Sequence, residues 1–308
     1  MIHTITLNPT LDLTYIVDAF TENDTVRAQA VYRMPGGKGI NVSRMAKRIG
    51  HPTVALGFIA GGTGLEVSRR LEDEGVNTWF TPLEQGETRT NPIIEAKSGE
   101  HLRVSGLGPV ADARAVESLR EAVFLLRAPD FLLVSGSRLE GVPEDFYTGM
   151  IKECKAQNIK AVVDADGAEL ENGIAAGAFL IKPNRFELER LLKRELNSLT
   201  DVLAGARQCL YMGVGVVAAS MGGDGALLVS HDYAYYAKPP QVQAGSAVGA
   251  GDSFLAGLLA KLAEGLEPKA ALRFAIACGS ATASVQGSQL GNLEIINALL
   301  PKIEVTTV

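Results

Sequence analysis

Short apolar runs rich in β-branched residues alternate with amphipathic stretches over most of the chain. Phe131–Ser135 (FLLVS) predicts a buried strand. Pro143–Gln157 predicts a helix carrying Phe146, Met150, Ile151 and Cys154 on one side. Further strands are predicted at Lys160–Asp164, Phe179–Ile181, Val214–Ser220 and Ala226–Ser230, and an apolar helix at Phe254–Leu262. Continuous apolar strands joined by helical crossovers point to a parallel sheet covered on both faces. The expected fold class is α/β: a doubly wound, mainly parallel sheet with helices on both faces, in one domain over residues 1–308.

Two segments break this pattern. Thr14–Val17 and Arg89–Val104 read as exposed antiparallel strands, with Ser98-Gly99 as a turn signal inside the second. They predict a small β lid inserted at about residues 12–34 and 88–106. Exposed strand edges pair readily, so the same strands are the expected contact of a homodimer.

Composition narrows the function. Of 308 residues, 33 are glycine, about 11% against a usual share of roughly 7%. A hydrophobic fraction of 46% and a charged fraction of 21% exclude disorder and collagen. The net charge of −6 disfavours a nucleic-acid partner, because that affinity rests on neutralising phosphates. An anionic ligand must then be met by a local group of cations and backbone amides. No apolar run approaches the ~18 residues of a membrane span, so no membrane partner is expected. MIHTITLNPTLD has neither a basic n-region nor a long apolar h-region, so no secretory signal is read there. Cys154, Cys209 and Cys278 are widely spaced, and His3, His51, His101 and His231 show no ligand spacing. They argue for a reduced, cytoplasmic protein without a His or Cys metal site.

Three glycine clusters fall where strands are expected to meet helices: GGKGINVSR (Gly36–Arg44), SMGGDG (Ser220–Gly225) and VGAGDSF (Val248–Phe254). The last opens a predicted helix. Its free N–H groups and positive dipole end suit an anion, and glycines let the backbone come close. Asp252 in that first turn reads either as a helix cap or as a base for a substrate hydroxyl. Rival motifs are missing. Gly37-Lys38 is followed by Gly39, so no Walker A loop is present. The G-x-G-x-x-A match at Gly213–Ala218 runs into a strand-like segment, which fails the dinucleotide context. Neither a G-x-S-x-G elbow nor protein-kinase signatures occur.

Five motifs in order span nearly the whole chain: TLNPTLD (Thr6–Asp12), GGKGINVSR, SGS (Ser135–Ser137), KPNRFE (Lys182–Glu187) and VGAGDSF. With SMGGDGAL before the last, the chain resembles the PfkB/ribokinase family of carbohydrate kinases, in its phosphofructokinase (hexose-phosphate kinase) branch. The resemblance implies a ribokinase-like fold with a β lid and ATP-dependent phosphorylation of a hexose phosphate to a bisphosphate. Fructose 1-phosphate and fructose 6-phosphate are both implied acceptors. Tagatose 6-phosphate, an unphosphorylated sugar or nucleoside, and a catalytically silent sugar-phosphate sensor remain alternatives. Asp252 is similar to the family's catalytic base, and Gly249, Ala250 and Gly251 to its anion hole. Asn184 and Glu187 match its N-x-x-E motif, which organises Mg²⁺ through water. Lys182, Asn184, Ser220, Gly222, Gly223 and Gly225 correspond to ATP contacts. Asp12, Gly37, Gly39, Asn41 and Ser137 correspond to sugar contacts. Lys38, Arg27 and Arg89 are the candidate cations for a sugar phosphate. Arg138, which stands where this branch commonly has Leu-Pro after SGS, is a further phosphate ligand or the mark of an altered substrate. Ser246, Val248, Val285, Gly287 and Gln289 occupy the positions of a K⁺ site.

Overall fold

The computed structural model describes residues 1–21, 24–126, 129–242, 245 and 248–308. A ten-stranded sheet forms the centre, in the order β14-β13-β12-β11-β10-β9-β8-β1-β4-β5. Its strands are β1 (Ile2–Thr6), β4 (Thr53–Ala60), β5 (Asn77–Leu83), β8 (Phe131–Ser135), β9 (Lys160–Asp164), β10 (Leu180–Ile181), β11 (Val216–Ser220), β12 (Ala226–Val229), β13 (Ala234–Ala237) and β14 (Val305–Thr307). Strands β11, β10, β9, β8, β1, β4 and β5 are parallel, and β12 to β14 add an antiparallel edge.

The apolar alternation of the strands explains the layers. Leu132 and Val134 of β8 face one core, and Phe131 and Leu133 the other. The first core is closed by α3 (Ala113–Leu125), α4 (Phe146–Ala156), α5 (Ala168–Ala175), α6 (Arg185–Leu192) and α7 (Leu199–Tyr211). The second is closed by α1 (Lys38–Arg48), α8 (Ala250–Ala263), α9 (Pro268–Ala283) and α10 (Leu293–Leu299). Helix α2 (Gly61–Asp73) buries Val67 and Leu71 against Leu11, Ile40 and Ala55. Among the described residues, no helix is long and apolar enough to cross a membrane.

A four-stranded lid stands apart from this sheet. It has the order β3-β2-β6-β7, with β2 (Thr10–Val17), β3 (Ala30–Gly36), β6 (Arg89–Ala96) and β7 (His101–Arg103). The lid is where expectation and structure differ most. Strand β2 is largely buried, and it pairs with β6 in parallel, not antiparallel. Within the lid, the β2–β3 and β6–β7 pairs are antiparallel. The two insertions enter from the same end of the sheet, which sets their strands side by side in one direction. The glycine cluster at Ser220–Gly225 also differs: it joins antiparallel β11 and β12 through a 3₁₀ turn at Gly222–Asp224, so no helix follows it. The predicted helix at Phe254–Leu262 begins one turn earlier, at Ala250.

The chain runs from β1 outward to β4 and β5, then returns to build β8 to β11 on the other side. Such a reversal opens a crevice at the carboxyl ends of the parallel strands. Ser135, Asp164, Ile181 and Ser220 end β8, β9, β10 and β11, and the lid is rooted at the same edge.

Candidate active site

Three pieces of chain meet in this crevice. Strand β3 ends at Gly36, and Gly37 caps the N-terminus of α1. Helix α8 begins after Gly249, which takes φ 76° as its cap, a left-handed value that suits glycine. Lys182 follows β10 and leads into α6.

Asp252 lies in the first turn of α8, and its Oδ2 accepts a hydrogen bond from Asn41 Nδ2 at 2.8 Å. Burial and the negative charge of Asp164 push its carboxyl up to about 6, while the Asn41 bond and the charges of Lys182 and Lys38 pull the other way. A carboxylate with this value is ionised near neutral pH yet basic enough to accept a proton.

Asp164 is the hub of the charges. It is 0% exposed, with Lys38 Nζ 2.8 Å from Oδ1 and Lys182 Nζ 3.3 Å from Oδ2. Burial alone would raise its pKa, but the two ammonium groups outweigh that and lower it. Lys38 also lies 3.2 Å from Glu187 Oε1. Burial works against its charge, and the carboxylates of Asp164 and Glu187 reverse the effect and raise its pKa. A Cβ placed on Gly251 would sit 3.5 Å from Lys182 Nζ, so this amine lies beside the opening of α8. Backbone amides, a helix dipole and two lysines thus converge next to Asp252, the arrangement an anion requires.

Asn184 and Glu187 form a capping box on α6. Glu187 N donates to Asn184 Oδ1 at 2.9 Å, and Asn184 N donates to Glu187 Oε2 at 2.8 Å. Ser220 pairs with this segment, its N–H donating to the Pro183 carbonyl at 3.0 Å. Gly222 and Gly223 form the adjacent 3₁₀ turn. Gly225 takes φ 98°, and a Cβ there would collide with the Ala237 carbonyl.

A Mg²⁺ ion is implied by the resemblance, and the donor set bears on it. Among the described residues, no group of three or more His, Cys, Asp or Glu could hold a metal. Asn184 Oδ1 and Glu187 Oε2 are engaged in the capping box. Hard oxygen capacity remains, because buried Asp164 Oδ2 has its ion pair but no hydrogen bond. This suits Mg²⁺, which keeps several waters and takes one or two carboxylates beside phosphate oxygens.

The second pole lies under the lid. Asp12 is buried, and its Oδ1 accepts from Asn91 Nδ2 at 3.1 Å. Burial raises its pKa against the pull of Arg103, Asn91, Arg89 and Arg44. Arg89 Nη2 donates to the Asn8 carbonyl at 3.0 Å, while its buried Nε has no partner. Ser137 Oγ accepts from Asn8 Nδ2 at 3.3 Å. Gly39 packs on β1 and β8, where a Cβ would come within 2.6 Å of Thr6 Oγ1 and 2.7 Å of Ser135 Oγ.

Some sequence candidates lie elsewhere or are otherwise engaged. Lys38 is drawn to Asp164 and Glu187, on the side of Asp252. Arg27 is exposed on the segment between β2 and β3. Arg138 Nε is 2.7 Å from Glu169 Oε1 and its Nη1 donates to the Val142 carbonyl at 2.9 Å. Val285, Gly287 and Gln289 form the turn after α9, where Val285 N donates to Thr282 O and Gln289 N to Gln286 O. Val248 lies just before the Gly249 cap, and Ser246 is outside the described residues. Sequence reasoning missed Asp164, Arg103, Arg44 and Glu74. The available signal for Asp164 was a carboxylate ending a buried parallel strand at the ligand edge; Arg103 and Glu74 carry none locally.

Comparisons with known proteins give the family. The family model for pfkB family carbohydrate kinases matches residues 5–295. The chain belongs to that family. It is 35% identical over 306 residues to the 1-phosphofructokinase of Bacillus subtilis, covering 99% of each. It is 34% identical to the ATP-dependent 6-phosphofructokinase isozyme 2 of Escherichia coli over 94% of each. The crystal structure of Escherichia coli phosphofructokinase-2 in complex with potassium superposes with a TM-score of 0.92, at 32% identity over 98% of each chain. This PfkB chain is a carbohydrate kinase with the ribokinase-like fold that its motifs implied.

Proposed function

We propose that this kinase transfers the γ-phosphoryl group of ATP to a fructose monophosphate, giving fructose 1,6-bisphosphate. The observation that carries the reading is that Asp252, at the opening of α8, stands in the field of Lys38 and Lys182, which both pair with Asp164. One end of the crevice therefore has a base and an anion hole; the other, under the lid, has Asp12 with Arg89 and Arg103 in its field.

In the transfer, the acceptor hydroxyl oxygen bonds to the γ-phosphorus while the bond from that phosphorus to the β–γ bridging oxygen breaks. The hydroxyl proton passes to Asp252, and ADP leaves. Because phosphoryl transfer is mostly positioning and charge stabilisation, the amides of Gly249, Ala250 and Gly251 with Lys182 supply what the protein must. Ser220, Gly222, Gly223 and Gly225 line the path of the nucleotide phosphates. Asp164 Oδ2 would hold Mg²⁺, with Asn184 and Glu187 reaching it through water, and that ion would neutralise phosphate charge. Asp12, Asn41, Gly37, Gly39 and Ser137 meet the sugar hydroxyls. Arg89 and Arg103 take the sugar phosphate, since a dianion needs such donors and the buried Nε of Arg89 is free to give one.

Two further features belong to the proposal. The carbonyls near Val248, Val285, Gly287 and Gln289 would hold a K⁺ ion, a reading supported by the potassium complex of the Escherichia coli relative. A cytoplasmic homodimer forms through the lid, supported by the exposed Val31, Leu102, Val104 and Leu107 on its outer strands and the loop after them. Sedimentation tests the dimer, and replacing K⁺ by Na⁺ tests the ion.

The acceptor is tested by coupled ADP release over a panel of sugars and sugar phosphates. ADP release with fructose 1-phosphate or fructose 6-phosphate supports the reading. Release with unphosphorylated sugars alone would assign the lid cations another role.

A further inference from the structure

Helix α1 sets Asn41 and Arg44 one turn apart on the same face. Arg44 is 0% exposed, a rare state for arginine. Its guanidinium forks onto Glu74: Nε donates to Oε2 at 2.9 Å, and Nη2 donates to Oε1 at 2.7 Å. Nη1 donates to the Pro35 carbonyl at 3.0 Å and to Asn41 Oδ1 at 3.4 Å. Asn41 Nδ2 then donates to Asp252 Oδ2 at 2.8 Å.

Every polarity along this run is determined. A guanidinium only donates and an ionised carboxylate only accepts. The Asn41 amide therefore has one orientation that satisfies both neighbours, with its carbonyl toward Arg44 and its NH₂ toward Asp252. Turned over, it would set oxygen against carboxylate and NH₂ against guanidinium.

We propose that Arg44 and Glu74 are positioning residues for phosphoryl transfer: they hold the Asn41 amide toward Asp252 and tie that setting to Pro35, at the root of the lid. Neither residue touches the reacting groups. The proposal rests on Asp252 being the base. Asp252 is faced by Asp164 from β9, Lys182 after β10, and Lys38 and Asn41 from α1. Around Arg44 stand Glu74, Arg48 and Asp12. With Glu74 neutralised, the guanidinium exchanges its charged two-oxygen fork for a weaker neutral acceptor, and the amide is held less firmly. The hydrogen bond that favours the ionised carboxylate then weakens, and the proton binds more tightly.

The test is steady-state kinetics of purified full-length Glu74→Gln with MgATP and each fructose monophosphate. Glu74 is partly exposed, and glutamine keeps an acceptor for Arg44, so the fold tolerates the change. The expected result is a kcat lowered about tenfold, since small misplacements at the reacting centre are costly. The KM for ATP should stay within about twofold, and the acid limb of kcat/KM should move to higher pH. In an Asn41→Ala background, Glu74→Gln should change kcat by less than about twofold, because the relay is already cut. Arg44→Lys, which keeps the charge without the fork, serves as the second variant with the same expectations. An unmoved acid limb with normal kcat would overturn the proposal, as would a full tenfold loss persisting in the Asn41→Ala background. Failure of the base assignment looks different: Asp252→Asn would then turn over at near the wild-type rate, whatever stands at position 74.

Discussion

Lys38 Nζ and Asp164 Oδ1 meet at 2.8 Å, joining the root of the lid to the carboxyl end of β9 across 126 residues of sequence. The same carboxylate holds Lys182 at 3.3 Å. Two lysines that would repel each other in a partly dry crevice are kept there by one buried Asp. Asp164→Ala leaves Lys182, only 5% exposed, without that partner. Breaking a buried pair in this way costs on the order of 3–5 kcal/mol. Urea denaturation at pH 7 should show a loss of that size, together with a large fall in kcat.

The raised pKa of Asp252, about 6, has two consequences of opposite sense. The base works only when ionised, so kcat/KM should fall as pH drops through about 6. Stability runs the other way. A carboxyl whose folded pKa lies above its unfolded value favours the fold while protonated, and that contribution is lost as pH rises through about 6. Asp252→Asn should therefore lower kcat by roughly 10²–10⁴ yet raise Tm at pH 8, with the Tm difference shrinking toward pH 4. Calorimetry at both pH values checks it, and a variant less stable than wild type at pH 8 would contradict the burial argument.

Two glycine variants separate chemistry from folding. In Gly251→Ala the new methyl would lie 3.5 Å from Lys182 Nζ, an ordinary contact, so Tm should hold. The same methyl stands over the opening of α8, and kcat should drop about 10-fold or more as an anion is kept from the amides. Gly225→Ala should do the reverse. Its φ of 98° and the Ala237 carbonyl oppose any side chain, so Tm should fall first.

Arg89, Arg103 and Arg138 divide by what they touch. Arg89→Ala and Arg103→Ala should raise the KM for the sugar phosphate by about 10–100-fold, the worth of a charge-assisted hydrogen bond. The KM for ATP should change little. Arg138 is engaged by Glu169 and the Val142 carbonyl, so Arg138→Ala should lower Tm and leave the sugar-phosphate KM within about twofold. Initial-rate measurements with each substrate varied in turn distinguish the three.

The sequence was most legible where burial is complete. FLLVS and KAVVD match β8 and β9 residue for residue, because strands covered on both faces carry an unbroken apolar run, here FLLV and AVV. The lid was harder. Strand β3 alternates half-buried and exposed residues around Arg33, with no apolar repeat to mark it. The parallel pairing of β2 with β6 depends on where two distant insertions leave the sheet, which no local pattern encodes. In the site, Asp252, Asn41 and Lys38 announced themselves by their glycine loops. Glu74 looked like any charge at a helix end, and only the three-dimensional fold reveals Arg44 buried against it.

The identity of the reaction is open to one direct measurement. Phosphorus NMR of the purified protein with MgATP and fructose 1-phosphate, and separately with fructose 6-phosphate, follows both phosphates of the product. The account predicts fructose 1,6-bisphosphate and ADP in equal amounts from at least one of them, and none from Asp252→Asn on the same timescale. ATP that stays intact with both sugar phosphates, in a folded protein supplied with Mg²⁺ and K⁺, would contradict it.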